Sequence, residues 1–96
     1  MRVMARVVIS TQAGNRALSS GALGDIIQST AERWKPEAMY FTAFEGKRCA
    51  YMIFDMPDSS DIPPFAEPLF NGLEADIDIA PVMDIEELQQ GLAKLR

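Results

Sequence analysis

In the closing third of the chain, apolar Ile77 and Ile79 interleave with charged Asp76 and Asp78. A period of two marks a strand with one covered face, so this spacing predicts a strand over Ala75 to Met83. At the other end, Val3 to Ile9 is a short run rich in β-branched residues, interrupted only by Met4, Ala5 and Arg6, and it reads as the first strand. Its parity points Val3, Ala5, Val7 and Ile9 one way and Met4, Arg6 and Val8 the other. Residues 38–44, Ala-Met-Tyr-Phe-Thr-Ala-Phe, and 49–56, Cys-Ala-Tyr-Met-Ile-Phe-Asp-Met, are β-prone runs separated by Glu45-Gly46-Lys47-Arg48. A glycine in so short a connection predicts a hairpin.

Between these strands the period changes to three and four. Within residues 19–34, Leu23, Ile26, Ile27, Thr30, Ala31 and Trp34 mark one face of a helix, with Ser19 or Ser20 available to cap it and Thr11 to Asn15 read as the break after the first strand. Lys35-Pro36 ends that helix, because the residue before proline is pushed out of the α region. Ile62, Phe65, Ala66, Leu69, Phe70 and Leu73 predict a second helix after the capping loop at 56–61. Pro63 and Pro64 suit its first turn, whereas Pro68 removes an interior hydrogen bond and predicts a short or kinked helix. Asp84-Ile85-Glu86-Glu87 is an aspartate version of a capping box, followed by an apolar stripe of Ile85, Leu88, Leu92 and Leu95 that ends near Lys94 and Arg96. The order β-α-β-β-α-β with an added C-terminal helix is the split βαβ pattern, so the fold class expected is α+β, a ferredoxin-like antiparallel sheet.

Ninety-six residues with 48% apolar and 24% charged side chains fit a single globular domain over 1–96. A domain this small buries only about 60–65% of its unfolded surface, and association would help to stabilise it. No apolar run approaches the roughly 20 residues of a membrane span, and Met1 to Arg6 lacks the build of a signal peptide. With Cys49 as the one cysteine, no intrachain disulfide can form, which suits a reducing compartment. The expected location is therefore the cytoplasm, without a membrane partner. The net charge of −5 is unevenly spread: residues 1–50 hold seven Lys/Arg against four Asp/Glu, and residues 51–96 two against ten. Scattered basic residues on an acidic chain argue against nucleic acid as a partner.

The stretch from Phe65-Ala66-Glu67-Pro68-Leu69-Phe70 through Ile79-Ala80-Pro81-Val82-Met83-Asp84 to Leu92 resembles small bacterial proteins of the dimeric α/β-barrel type. The closing acidic strand, Pro-Val-Met and terminal helix carry the likeness; the first half matches by element order. Those small proteins supply no activity to transfer. The wider superfamily includes haem-handling proteins, cofactor-independent monooxygenases and isomerases. The resemblance implies a face-to-face dimer of sheets with cavities between sheet and helices, but no catalytic residues that transfer to this chain.

The absence of histidine narrows the chemistry more than any motif does. Histidine is the usual haem ligand, the commonest transition-metal ligand and the usual base near neutral pH, so neither haem nor a stoichiometric transition metal is expected as a cofactor. Ser-His-Asp and Cys-His systems cannot be built, and no glycine-rich phosphate loop is present. Asp76, Asp78 and Asp84 are oxygen donors of the kind that suit magnesium or calcium, but their spacing lacks a calcium loop's glycine and closing glutamate, and a solvated acidic strand is the simpler reading. Cys49 beside Arg48 is either an activated thiol or a small buried hydrophobe, the second being usual at a strand start. Trp34 and Tyr40 either line an aromatic pocket or, for a tryptophan ending an apolar stripe, pack in the core.

One polar cluster follows from strand parity. In the ferredoxin-like order the last strand runs beside the first, which lets Arg6 face Asp76 or Asp78, with Tyr51 and Asp55 on the third strand nearby. The plain reading is an ion pair of Arg6 and Asp78 under a dimer interface; the alternative is a binding site for an anionic small molecule formed by Arg6, Asp78, Tyr51 and Asp55. Three classes of function are thereby open: a homodimeric interaction or structural module, a small-molecule binding or regulatory module, and a cofactor-independent enzyme using Arg, Tyr and Asp. A homodimer is favoured, because strands two and three are apolar or aromatic at nearly every position while one layer of helices covers only one face of the sheet.

Overall fold

A computed structural model describes residues 1–95. Its elements are β1 (Arg2–Val8), α1 (Thr11–Ser20), α2 (Ala22–Trp34), β2 (Ala38–Phe44), β3 (Lys47–Asp55), a 3-10 turn (Ser59–Asp61), α3 (Ile62–Leu73), β4 (Asp76–Pro81) and α4 (Ile85–Ala93). The four strands form one antiparallel sheet in the order β2-β3-β1-β4. This is a mixed α+β architecture, and β4 does run beside β1.

Strand boundaries follow the hydrophobic pattern closely, and the hairpin is tighter than the pattern implied. Lys47 and Arg48 belong to β3, leaving Glu45 and Gly46 as a two-residue turn with φ of 51° and 78°. Paired positive φ values match the right-handed twist of the strands that the turn joins. At its first turn α3 takes Pro63 and Pro64 as anticipated, and it then continues through Pro68 for 12 residues, so that proline does not shorten it.

The clearest departure lies at Thr11 to Ser20, expected to be a break and the approach to a helix, which is itself a helix. Ser10 caps it, accepting a hydrogen bond from the Ala13 amide, and its buried side is Ala13, Gly14 and Ala17. Residues this small carry little apolar signal, yet they let a helix lie close to the sheet. Gly21, at φ 85°, then ends α1 and separates it from α2 in a left-handed conformation that a β-carbon would oppose. Ser20 consequently ends α1, and its hydroxyl accepts from the Ala22 amide at 3.3 Å.

Helices α1 to α3 cover one face of the sheet. Against them lie Val3, Ala5 and Val7 of β1 and Ala50, Met52 and Phe54 of β3, with Phe65, Ala66, Leu69 and Leu73 of α3 closing the core. Three aromatic rings form its centre: Phe54 and Phe65 stack with centroids 4.7 Å apart, and Trp34 packs tilted or edge-on to them at 5.6 and 5.7 Å. These are the separations at which aromatic pairs add to the burial of their area. Trp34 thus serves the core, and it does not share a pocket with Tyr40, which is exposed on the opposite face of the sheet.

The C-terminal helix forms as its capping box predicts: Asp84 accepts from the Glu87 amide at 2.8 Å and Glu87 from the Asp84 amide at 3.0 Å. Its stripe, however, is open to solvent: Ile85, Leu88, Leu92 and Leu95 are all exposed, Leu88 the least so at 43%. Arg96, expected beside the end of that stripe, lies outside the described residues.

Candidate functional site

The face of the sheet opposite the helices is assembled by register from three cross-strand rows. Tyr40 of β2 lies opposite Tyr51 of β3, Tyr51 opposite Arg6 of β1, and Arg6 opposite Asp78 of β4. On one side of this polar row is an apolar row of Ala38, Ile53, Met4 and Ala80; on the other are Thr42, Cys49, Val8 and Asp76. The parity that sends Val3, Ala5 and Val7 to the core sends these side chains to the opposite face, where Val8 and Cys49 are nevertheless buried.

Arg6 sits at the middle of the polar row. Its Nη2 donates to Asp78 Oδ2 at 2.9 Å, and its guanidinium lies 4.4 Å from the centre of the Phe44 ring. The bond to Asp78 pushes the guanidinium further above its ordinary range, so it stays charged at all working pH values. Of the two aspartates considered for it, Asp78 is the partner; Asp76 lies opposite Val8. The pair is unevenly exposed, Arg6 at 35% and Asp78 at 69%, so Asp78 sits on the open edge strand and Arg6 further in. Arg6 Nε is shut off from solvent and has no hydrogen-bond partner among the described residues.

Register brings together three of the four residues proposed for this cluster. Asp55 is not among them: it lies opposite Arg2 at the end of the sheet and binds the N-terminal amine at 2.8 Å. The period of two puts Asp55 on the same face as Tyr51, but two rows of sidechain stacking away. Cys49 is buried, and burial pushes its thiol above the ordinary range despite the opposing charge of Arg6. Arg48, its neighbour in sequence, points to the other face and donates to Asn15 at 3.0 Å. An activated thiol at Cys49 is therefore overturned: the adjacent cation does not act on it.

Residue reading alone missed a second arginine site. Arg2 Nε donates to Glu37 at 2.8 Å, and its other nitrogens reach Glu87 and, at 3.8 Å, Asp84. One guanidinium thereby ties the start of β1, the approach to β2 and the first turn of α4. The sequence signal for it was the acidic capping box at Asp84 and Glu87, but its partner is 85 residues away for Glu87 and set by topology alone.

At the helix side of the sheet a pocket of about 190 Å³ lies between Leu23 and Ile27 of α2 and Phe41 and Arg48 of the hairpin. The void lined by Val7, Ile27, Met39, Met52 and Leu69 measures about 20 Å³, room for at most one water, and its lining is almost wholly apolar. Larger grooves are open surface features: about 300 Å³ between α2 and α3 beside Trp34, and about 410 Å³ beside β4, lined by Met56, Ile62 and Ile79. Neither includes Arg6. Among the described residues no three His, Cys, Asp or Glu side chains gather into a group that could hold a metal, and no helix is long and apolar enough to cross a membrane. Comparison with protein-family models and with curated proteins returns no match for this chain.

Proposed function

We propose that this chain is a homodimeric interaction module of the ferredoxin-like, dimeric α/β-barrel type, working in the cytoplasm, which buries the uncovered sheet face against a second copy. The observation that carries this reading is the face itself. Met4, Ile53, Ala38 and Ala80 make an apolar row on it, Tyr40 is 68% exposed there, and the core packed under the helices lies on the opposite side. An antiparallel sheet left bare on one side is ordinarily polar on that side, and apolar rows there mark a contact surface. Sedimentation of the full chain at micromolar concentration should give about 21 kDa, twice the 10.6 kDa of one chain. A compact single chain at that concentration sinks the reading.

A second reading, an anionic small-molecule site, draws on the Arg6 Nε, a donor turned away from solvent without a partner. Arg6→Met separates the two. As a structural pair, Arg6 and Asp78 should be replaceable with the fold retained, because an ion pair brought under an interface loses hydration that its attraction must offset. As a site, the variant should lose the thermal shift that a small carboxylate or inorganic phosphate produces in the wild type. If neither anion shifts the wild type, the second reading fails.

A further inference from the structure

Two apolar surfaces of this one chain are left without a cover, the sheet face and the stripe of α4. Their combined cost shows in the dimensions of the molecule. A folded monomer of 10.6 kDa exposes about 5,500 Å². This chain exposes 6409 Å². The surplus, roughly 900 Å², is close to the roughly 800 Å² that each partner contributes to a standard interface. The radius of gyration tells the same story: 15.1 Å, with a longest extent of 55 Å, where a compact chain of this length has about 12.5 Å.

Five of the eleven exposed large hydrophobic residues among those described lie between Met83 and Leu95. Ile85 is 71% exposed, Leu92 54% and Leu95 80%, and Met83 just before the helix is 64% exposed. A capped helix of nine residues is too short to persist in water on its own propensity, and helices of this length are held by packing of an apolar stripe. At its root Arg2, on the same face of β1 as Met4 and Arg6, binds Glu37, Asp84 and Glu87 and fixes the first turn at the end of the sheet. Beyond that anchor every residue of α4 is exposed, and the molecule reaches 55 Å in its longest dimension.

We propose that α4 is exchanged between two copies, the stripe of Ile85, Leu88 and Leu92 from each chain lying on the apolar row of Met4, Ile53 and Ala38 of the other. The arrangement rests on the homodimer proposed above and states what the second copy brings to the face. It is self-complementary, since each chain carries one stripe and one face, as a two-fold interface requires. The Arg2 cluster then holds the root of α4 in place at the end of its own sheet.

Sedimentation equilibrium of the full chain and of the double variant Leu88→Gln/Leu92→Gln tests the exchange. Each dimer would lose four buried leucines, and the dissociation constant is expected to rise about 100-fold or more. The core lies elsewhere, so the far-ultraviolet circular dichroism of the variant should keep its sheet and α1 to α3 signal. A wild-type dimer whose dissociation constant is unmoved by the double variant overturns the exchange and leaves the homodimer standing; a monomeric wild type removes both. A second measurement uses the wild type alone: in a dimer mixed from isotope-labelled and unlabelled chains, Leu88 and Leu92 methyls of one chain should show proximity to Met4 and Ile53 of the other. Proximity only within a chain, or none to the sheet face, overturns the exchange.

Discussion

Replacing Phe54 with alanine should cost this protein a large share of its stability. Phe54 is 1% exposed, stacks on Phe65 and packs tilted against Trp34, so its ring belongs to a cluster of three. Truncating a buried phenylalanine to alanine costs about 3–5 kcal/mol, because transfer energy is lost and the cavity closes only in part. Against this, 96 residues carry a total stability of about 5–14 kcal/mol. With a urea dependence near 2 kcal/mol per molar, the unfolding midpoint should fall by about 1.5–2.5 M. Trp34 is the single tryptophan, and it lies 5.6 Å from the Phe54 ring, so its fluorescence reports the transition from within the perturbed cluster. Both proteins must be compared at one chain concentration, since association would add to stability by mass action. Leu18→Ala is the control: Leu18 is 60% exposed on α1 and should change stability by no more than about 0.5 kcal/mol. A loss below about 1 kcal/mol for Phe54→Ala, or an equal loss for the control, refutes the placement of these rings at the centre of the core.

Two further outcomes follow from titrating groups. Cys49 is buried with its thiol pushed above the ordinary range, so at pH 8 a thiol reagent should modify the native protein far more slowly than the urea-unfolded chain; equal rates would contradict the burial. Asp58 caps the 3-10 turn, and hydrogen bonds from the Ser60 hydroxyl and amide hold its carboxyl below the usual aspartate range. A depressed folded value contributes stability that is present above the unfolded value of about 3.9 and is lost as the pH falls through the lower, folded value. Carbon-detected titration should therefore place Asp58 below about 3.9, and Asp58→Asn should lose less stability than the wild type between pH 5 and pH 2; a midpoint at or above the ordinary value would reverse the assignment.

Local pattern was sufficient wherever a single element determines its own residues. The alternation of Ile77 and Ile79 with Asp76 and Asp78 defines β4 because a strand's two faces meet different surroundings, whatever lies beyond them. The Asp84 and Glu87 box starts α4 because both partners lie within one turn. Parity alone also brought Arg6, Tyr51 and both Asp76 and Asp78 to one face, while register chose Asp78 over Asp76 and set it in one row with Arg6 and Tyr51. Tertiary structure decided what depends on a neighbour. Residues 11–20 are helical because Ala13, Gly14 and Ala17 fit closely against the rest of the fold, a benefit that exists only once the sheet is there and leaves no bulky stripe to read beforehand. Asp55 was separated from Arg6 by register, which counts residues along paired strands and is set by the whole sheet, and it found the N-terminal amine instead. The stripe of α4 was equally legible, but whether it would be covered was not: a helix pattern records one apolar side, while the placement of the other elements decides what lies against it, and here the stripe is exposed.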